Sequence, residues 1–151
     1  MKVFNTLTKK KEELKSINDK EIRMYSCGPT VYNYAHIGNL RTYIFMDILS
    51  KTIIANGYKL KHVMNITDVG HLVSDGDNGE DKMQKASERE HKSPYEIANY
   101  YTKAFLKDLE KLNIKKPDII AKATEHIPDM IEYVKKIMEN GYAYETSTGL
   151  Y

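Results

Sequence analysis

Tyr25-Ser26-Cys27-Gly28-Pro29-Thr30-Val31-Tyr32-Asn33-Tyr34-Ala35-His36-Ile37-Gly38-Asn39-Leu40-Arg41 is the stretch that decides the fold. It leaves an apolar segment, crosses a Gly-Pro break and a set of small and polar residues, and enters a long run with helical spacing. A strand that leads in this way into a helix collects backbone N–H groups and short side chains at a helix N-terminus. There the aligned peptide dipoles favour an anion. A nucleotide phosphate suits that arrangement.

On the near side, Glu21 to Val31 reads as a core strand carrying Ile22, Met24 and Tyr25, with Gly28-Pro29 ending regular pairing. On the far side, Leu40, Ile44, Ile48, Leu49 and Ile53 recur at three- and four-residue steps, which predicts a helix from Leu40 to about Asn56 with one buried stripe. Asn56-Gly57 is its stop, because glycine takes the left-handed conformation without a Cβ penalty. Tyr58 to Thr67, with Leu60, Val63, Met64 and Ile66, is a second core strand. Strand, helix and strand at this spacing form a βαβ unit with parallel strands. Ligands of such sheets bind beyond the carboxyl ends of the strands, here Cys27-Gly28 and Asn65-Ile66-Thr67-Asp68.

Before this unit, Lys2 to Leu7 alternates as a short strand and a Lys/Glu-rich stretch reads as an exposed connection. After it, Val73 to Glu80 is a Gly/Asp/Ser loop, and Asp81 to His91 has helical composition with little apolar stripe. This is the most mobile region the sequence offers. Ser93-Pro94-Tyr95-Glu96 is a capping box that opens a helix lined by Ile97, Tyr101, Ala104, Phe105, Leu109 and Leu112. A further helix starts near Pro128, carries Ile131, Val134, Ile137 and Met138, and stops at Asn140-Gly141. Tyr142-Ala143-Tyr144 is strand-like, Ser147-Thr148-Gly149 a turn, and Leu150-Tyr151 the opening of a return strand. So short a second arm leaves the first poorly paired, so the chain reads as the amino-terminal piece of a longer protein.

With 151 residues the chain fits one domain, and 23 basic against 21 acidic residues leave a net charge of only +2, which does not announce a nucleic-acid binder. The runs Lys9-Lys10-Lys11 and Lys115-Lys116 read as solvated surface. A single cysteine excludes an intramolecular disulfide and points to a reducing cytoplasm. No apolar run reaches the ~18 residues of a membrane span, and the start has no signal-peptide core, so the expectation is a soluble protein.

Cys27-Gly28-Pro29-Thr30-Val31-Tyr32 followed by His36-Ile37-Gly38-Asn39 resembles the cysteinyl-tRNA synthetases, a family of class I aminoacyl-tRNA synthetases. Phe4-Asn5-Thr6-Leu7-Thr8, Asn65-Ile66-Thr67-Asp68 and Gly141-Tyr142-Ala143-Tyr144 continue the resemblance in order along the whole chain. A His-x-Gly tetrad at a helix start occurs in nucleotidylyltransferases too; the cysteine nine residues before the histidine is the more specific sign.

The resemblance implies a fold and a chemistry. The fold is α/β: a Rossmann-like parallel sheet, truncated, with a helical insertion over about 73–112. Residues 1–151 form the first part of one catalytic domain, whose remaining catalytic and anticodon-binding regions lie outside this chain. ATP, as its magnesium complex, and L-cysteine form cysteinyl-adenylate and pyrophosphate, and the cysteinyl group then passes to tRNA(Cys). His36 and Asn39 are the implied catalytic residues, stabilising the ATP phosphates, and Gly38 leaves room for the adenine; all three bind ATP. Asn39 stands where the general class signature has histidine, so it donates hydrogen bonds but carries no proton charge.

Cys27 is implied as one ligand of a zinc ion that holds the substrate thiolate, chemistry that separates cysteine from serine. Taken alone, a lone cysteine is more often a small buried hydrophobe. Gly28 and Thr67 are implied to face the cysteine substrate, ordinary strand-end hydrogen bonding being the alternative; His36 taken alone is a helix cap. Asp68 reads as structural. His62, His71, His91 and His126 lack metal spacing and read as exposed or capping, so the expectation for this chain alone is little or no zinc; one tightly held zinc per chain in metal analysis would overturn it. Lys82-Met83-Gln84-Lys85 resembles the second class I ATP loop but lies too early and lacks its serines. The full-length protein is expected to be a monomer and this piece inactive. The alternatives are a ligase joining cysteine to an amino sugar, which shares these motifs, and a non-enzymatic paralogue that binds nucleotide, tRNA or a protein partner.

Overall fold

The βαβ unit forms as two parallel strands flanking one long helix. The computed structural model describes residues 1–17, 21–70, 82–147 and 149–151; the loop expected over Val73–Glu80, His71 and the turn residue Thr148 lie outside them. Strand β1 (Lys2–Asn5) pairs antiparallel with β2 (Lys10–Glu13), and β3 (Glu21–Ser26) begins the main sheet. Helix α1 (Ile37–Ala55) connects β3 to the parallel β4 (Lys59–Ile66). Helices α2 (Lys82–Glu90) and α3 (Pro94–Lys111) lead to β5 (Ile119–Lys122), which lies parallel on the other side of β4, so the order is β3-β4-β5. A 3-10 turn (Ala123–His126), helix α4 (Ile127–Glu139) and the hairpin β6 (Glu145–Thr146) and β7 (Gly149–Leu150) come next. This is an α/β, Rossmann-like parallel sheet.

Several local expectations are corrected. The Lys/Glu-rich stretch is a strand rather than a connection: Glu12, opposite Val3, accepts hydrogen bonds from Thr8 and Asn5, which also lower its pKa in that order. β3 ends at Ser26, five residues earlier than predicted, with one further bridge at Thr30 to Thr67. β5 is an addition to the predicted elements, since Ile119-Ile120-Ala121 is too short a run to signal a strand by itself. Tyr142 and Ala143 lie outside any strand, although Tyr144 exchanges both backbone hydrogen bonds with Tyr151 and stacks its ring on it at 6.1 Å.

The largest correction concerns α1. Its buried residues are Tyr43, Asp47, Ser50 and Ile53, whereas Ile44 and Ile48 of the expected stripe face outward beside Phe45. Apolar residues are spread over every face of the helix, so spacing cannot select one. Packing selects one on which Asp47 accepts from the Lys115 backbone N–H at 2.9 Å, while its ion pair with Lys51 Nζ at 2.6 Å and the Ser50 bond to the Met46 carbonyl at 2.7 Å stay within the helix and satisfy the remaining polar groups. Lys51 also donates to the Asn113 carbonyl at 3.0 Å, which fastens α1 to the end of α3. Buried polar groups with complete partners avoid the few-kcal/mol desolvation penalty that an unpaired one carries.

α3 runs along both halves of the core. Ile97, Ala98 and Tyr101 close over Val31, Ile66, Met83 and Ala86, and Phe105 and Leu109 over Tyr43 and Met64. Met83 and Ala86 therefore give α2 the buried stripe that its composition hid, while Leu112 is largely exposed. The capping box is as read: Ser93 Oγ accepts from the Glu96 N–H, and Glu96 Oε2 accepts from the Ser93 N–H at 2.9 Å. Ser93→Ala is expected to cost about 1 kcal/mol and lower the unfolding midpoint by about 3 °C; an unchanged thermal melt would show the cap to be dispensable.

Candidate active site

The carboxyl end of the sheet is where the pairing of β3 and β4 opens. Ser26 lies opposite Met64 and Thr30 opposite Thr67, so Cys27, Gly28 and Pro29 face only Asn65 and Ile66. A strand with an extra residue bends and splays its side chains away from the ladder. Cys27 is accordingly exposed rather than buried, its Sγ 3.6 Å from the Gly28 carbonyl. The alternative of a small core residue is thus excluded. Thr67 donates its N–H to Pro29 and accepts from Val31, which closes the gap again.

Gly28 has to be glycine because the backbones nearly touch: a Cβ there would lie 1.7 Å from the Asn65 carbonyl oxygen. The Gly28 N–H donates to Asn65 Oδ1 at 2.8 Å. The same oxygen accepts from Tyr25 Oη at 2.9 Å, and Asn65 Nδ2 donates to Thr67 Oγ1 at 3.2 Å. In the sequence Asn65 stands out only as part of a motif; a polar residue inside the apolar run Met64-Asn65-Ile66 is the signal that could have singled it out. Asp68 caps a segment distant in sequence, accepting from the Thr124 N–H at 2.9 Å and its hydroxyl at 2.6 Å.

Beyond the gap the chain enters α1 through His36, the N-cap. His36 Nδ1 accepts from the Gly38 N–H at 3.1 Å, and Asn39 Oδ1 accepts from the His36 N–H at 3.2 Å. This reciprocal box fixes the chemistry of both side chains. With Nδ1 an acceptor, the neutral imidazole carries its proton on Nε2. With Oδ1 engaged, Asn39 keeps its NH₂ donors. Among the described residues neither donor has a protein partner, and both side chains line a cavity of about 250 Å³ with Pro29, Thr30, Tyr34 and Tyr101. A Cβ at Gly38 would meet the His36 ring at 3.0 Å and push it out of this arrangement.

The far wall is a tyrosine cluster that sequence reasoning did not single out. Tyr34 Oη and Tyr100 Oη are 2.6 Å apart, and the rings of Tyr34, Tyr100 and Tyr101 meet edge to face at 5.0 to 6.1 Å. Tyr101 donates to Glu90, which also holds Arg89 at 2.8 Å; Arg89 in turn donates to the Tyr32 carbonyl at 3.3 Å. The Tyr100 hydrogen bond, then desolvation, pushes the Tyr34 phenol up to about 12. The loop 32–36 that delivers His36 is therefore tied to α2 and α3.

His62 is neither exposed nor a cap. It is buried in β4 with Nε2 2.7 Å from Ser26 Oγ, and its backbone N–H donates to Asp118 at 2.7 Å. His91 is exposed with φ of 52° after α2, and His126 holds Asp129 at 2.9 Å. Burial pushes the His62 imidazole below its ordinary 6.5, against Asp118 and with Lys115. As pH falls through 6.5 the unfolded chain binds a proton that the folded one refuses, so stability rises with pH across that window and is lost below it. The unfolding midpoint is expected to fall between about pH 7 and pH 5.5, and His62→Gln to flatten that slope; an equal slope in both proteins would assign it elsewhere.

A profile of the tRNA synthetases class I (C) catalytic domain matches residues 13–151. The chain belongs to this family. It is 58% identical over all of its 151 residues to the cysteine–tRNA ligase of Treponema denticola, of which it spans 31%. With the cysteine–tRNA ligase of Zymomonas mobilis it shares 51% over 148 residues, 98% of this chain and 29% of that protein. With that of Borrelia garinii it shares 48% over 151 residues, its whole length and 31% of the relative. The chain thus spans less than a third of the curated relatives it matches. Among the described residues no group of three His, Cys, Asp or Glu side chains could hold a metal ion, and no helix is long and apolar enough to cross a membrane.

Proposed function

We propose that residues 1–151 are the first part of the Rossmann-like catalytic domain of a cytoplasmic cysteine–tRNA ligase, monomeric at full length, with a helical insertion over about 73–112. The carrying observation is the pair of donors that the capping box leaves open, His36 Nε2–H and the Asn39 amide, on the wall of one cavity at the N-terminus of α1. These are the groups an in-line phosphoryl reaction needs. A carboxylate oxygen of L-cysteine attacks the α-phosphorus of magnesium-bound ATP, the bond to pyrophosphate breaks, and the two donors meet the charge that builds on the phosphate oxygens. Each such donor is worth about 3 kcal/mol in the transition state. Gly38, lacking a side chain, keeps the His36 ring in place and leaves the backbone open to the adenine.

The cysteinyl group then moves from the adenylate to the terminal ribose of tRNA(Cys), releasing AMP. At the strand ends the Gly28 carbonyl and the Thr67 hydroxyl are the polar groups aimed at the amino acid. Zinc belongs to this reading as a cofactor of the full-length protein with Cys27 as one ligand. The described residues alone do not fit it, and no step here runs through it. The relatives' names favour tRNA over an amino-sugar acceptor.

Calorimetric titration of magnesium-ATP into this chain tests the reading. Binding is expected, weakened about tenfold in Asn39→Ala, one net hydrogen bond; binding that ignores both Asn39→Ala and His36→Ala would overturn it. The chain by itself is expected to show no cysteine-dependent ATP–pyrophosphate exchange, and robust exchange would refute its reading as a part of the enzyme.

A further inference from the structure

We propose that Asn65 is a positioning residue that sets the hydrogen-bonding polarity of the amino-acid end of the site, an inference that rests on reading the Cys27–Thr67 end as the cysteine pocket. The gap between β3 and β4 leaves three residues opposite two, and Asn65 reaches across it with its side chain. Its Oδ1 accepts twice, from the Gly28 N–H and from Tyr25 Oη, which uses both lone pairs. With Oδ1 turned to those two donors, Nδ2 faces Thr67 Oγ1 and donates to it.

This fixed orientation has two consequences. The Gly28 N–H is consumed, so what Gly28 offers a ligand is its carbonyl, which carries only the Cys27 thiol at 3.6 Å among the described residues. Thr67 Oγ1, accepting from Asn65, turns its own proton away from the protein and becomes a donor. The sheet end therefore presents one acceptor, the Gly28 carbonyl, and one donor, the Thr67 hydroxyl, each on a residue hydrogen-bonded to Asn65. That pair complements a zwitterionic α-amino acid, the Gly28 carbonyl taking the ammonium and the Thr67 hydroxyl the carboxylate. Tyr25, exposed on the outer side, serves to hold the Asn65 amide in this rotamer.

Asn65→Asp separates positioning from placement. A carboxylate still accepts from Gly28 and Tyr25 but draws the Thr67 proton to itself, so Thr67 can only accept from a ligand. In nitrogen-15 spectra of the 151-residue chain, the Gly28 amide proton is expected to stay downfield in Asn65→Asp and to move upfield in Asn65→Ala, where its acceptor is gone. In titrations followed at the Gly28 amide, Asn65→Asp and the near-isosteric Thr67→Val are both expected to weaken L-cysteine about tenfold and to leave cysteamine, which lacks the carboxylate, unchanged. A Gly28 resonance indifferent to Asn65→Ala in the folded protein would overturn the proposal, as would Asn65→Asp binding L-cysteine like the unmodified chain. If the unmodified chain shows no response to L-cysteine at all, the cysteine reading fails, while the Gly28 resonance still decides the role of Asn65.

Discussion

Replacing Gly28 with alanine is expected to lower the midpoint of thermal unfolding by roughly 10 °C, a loss of about 3 kcal/mol or more. The added Cβ would sit 1.7 Å from the Asn65 carbonyl oxygen, 2.8 Å from its carbonyl carbon and 2.9 Å from Met64 Cγ. Two of the three obstacles are backbone and the third belongs to a side chain that is 2% exposed. Nothing near can swing aside, so β3 must separate from β4, and the Gly28 hydrogen bond to Asn65 goes with it. Gly57→Ala is the control: its Cβ meets nothing within 4 Å, and only its φ of 81° opposes a side chain. That strain costs about 1 kcal/mol. Equal melting of the two variants would show that the approach at Gly28 relaxes cheaply.

His36→Ala is expected to combine two losses that a second variant can separate. The cap goes, at about 1 kcal/mol of helix stability, and so does the Nε2 donor, at about 10²- to 10³-fold in the rate of adenylate formation. The rate is to be read in cysteine-dependent ATP–pyrophosphate exchange by a protein carrying this chain within the length of its relatives. His36→Asn restores a good N-cap acceptor for the Gly38 N–H, so its melting should return towards that of the unmodified protein. Its amide is too short to reach where Nε2 stood, so the exchange rate should stay low. Exchange that recovers together with stability would reduce His36 to a helix cap. An exchange rate unmoved in His36→Ala would sink the assignment of the cavity to ATP.

Local signals are legible wherever the interaction is itself local. Ser93 and Glu96 satisfy each other within one helical turn, and Asn56-Gly57 and Asn140-Gly141 end their helices with glycines at φ of 81° and 76°. The βαβ unit is equally legible, because its strands are long and its helix is longer. Cys27, Gly28, His36, Gly38, Asn39 and Thr67 stand out in the sequence as a set of residues, and their positions at the sheet end and the start of α1 come only from the structure. The parts that escape a reading of the sequence depend on partners distant along the chain. Asn65 meets Gly28 and Tyr25 across 37 and 40 residues, Tyr34 meets Tyr100 across 66, and Ser26 meets His62 across 36. β5 needs β4 beside it to be a strand at all.

The order of its elements, read along the chain alone, was enough to determine the βαβ unit and the residues at the helix start, and the resemblance its motifs carry pointed to the family. The helix start is held by hydrogen bonds that reach two or three residues, and the βαβ unit announces itself by the periods of its strands and helix although its strands pair at long range. Only the tertiary structure decided which face of α1 is buried, that Cys27 is exposed, and that the Asn65 side chain reaches across the gap between the strands. The reason is that a helix with apolar residues on every face and a four-residue strand have no preferred environment of their own. Their place is settled by neighbours distant along the chain, such as the Lys115 N–H that donates to Asp47 and the Asn65 side chain that accepts from Gly28, once water has been excluded.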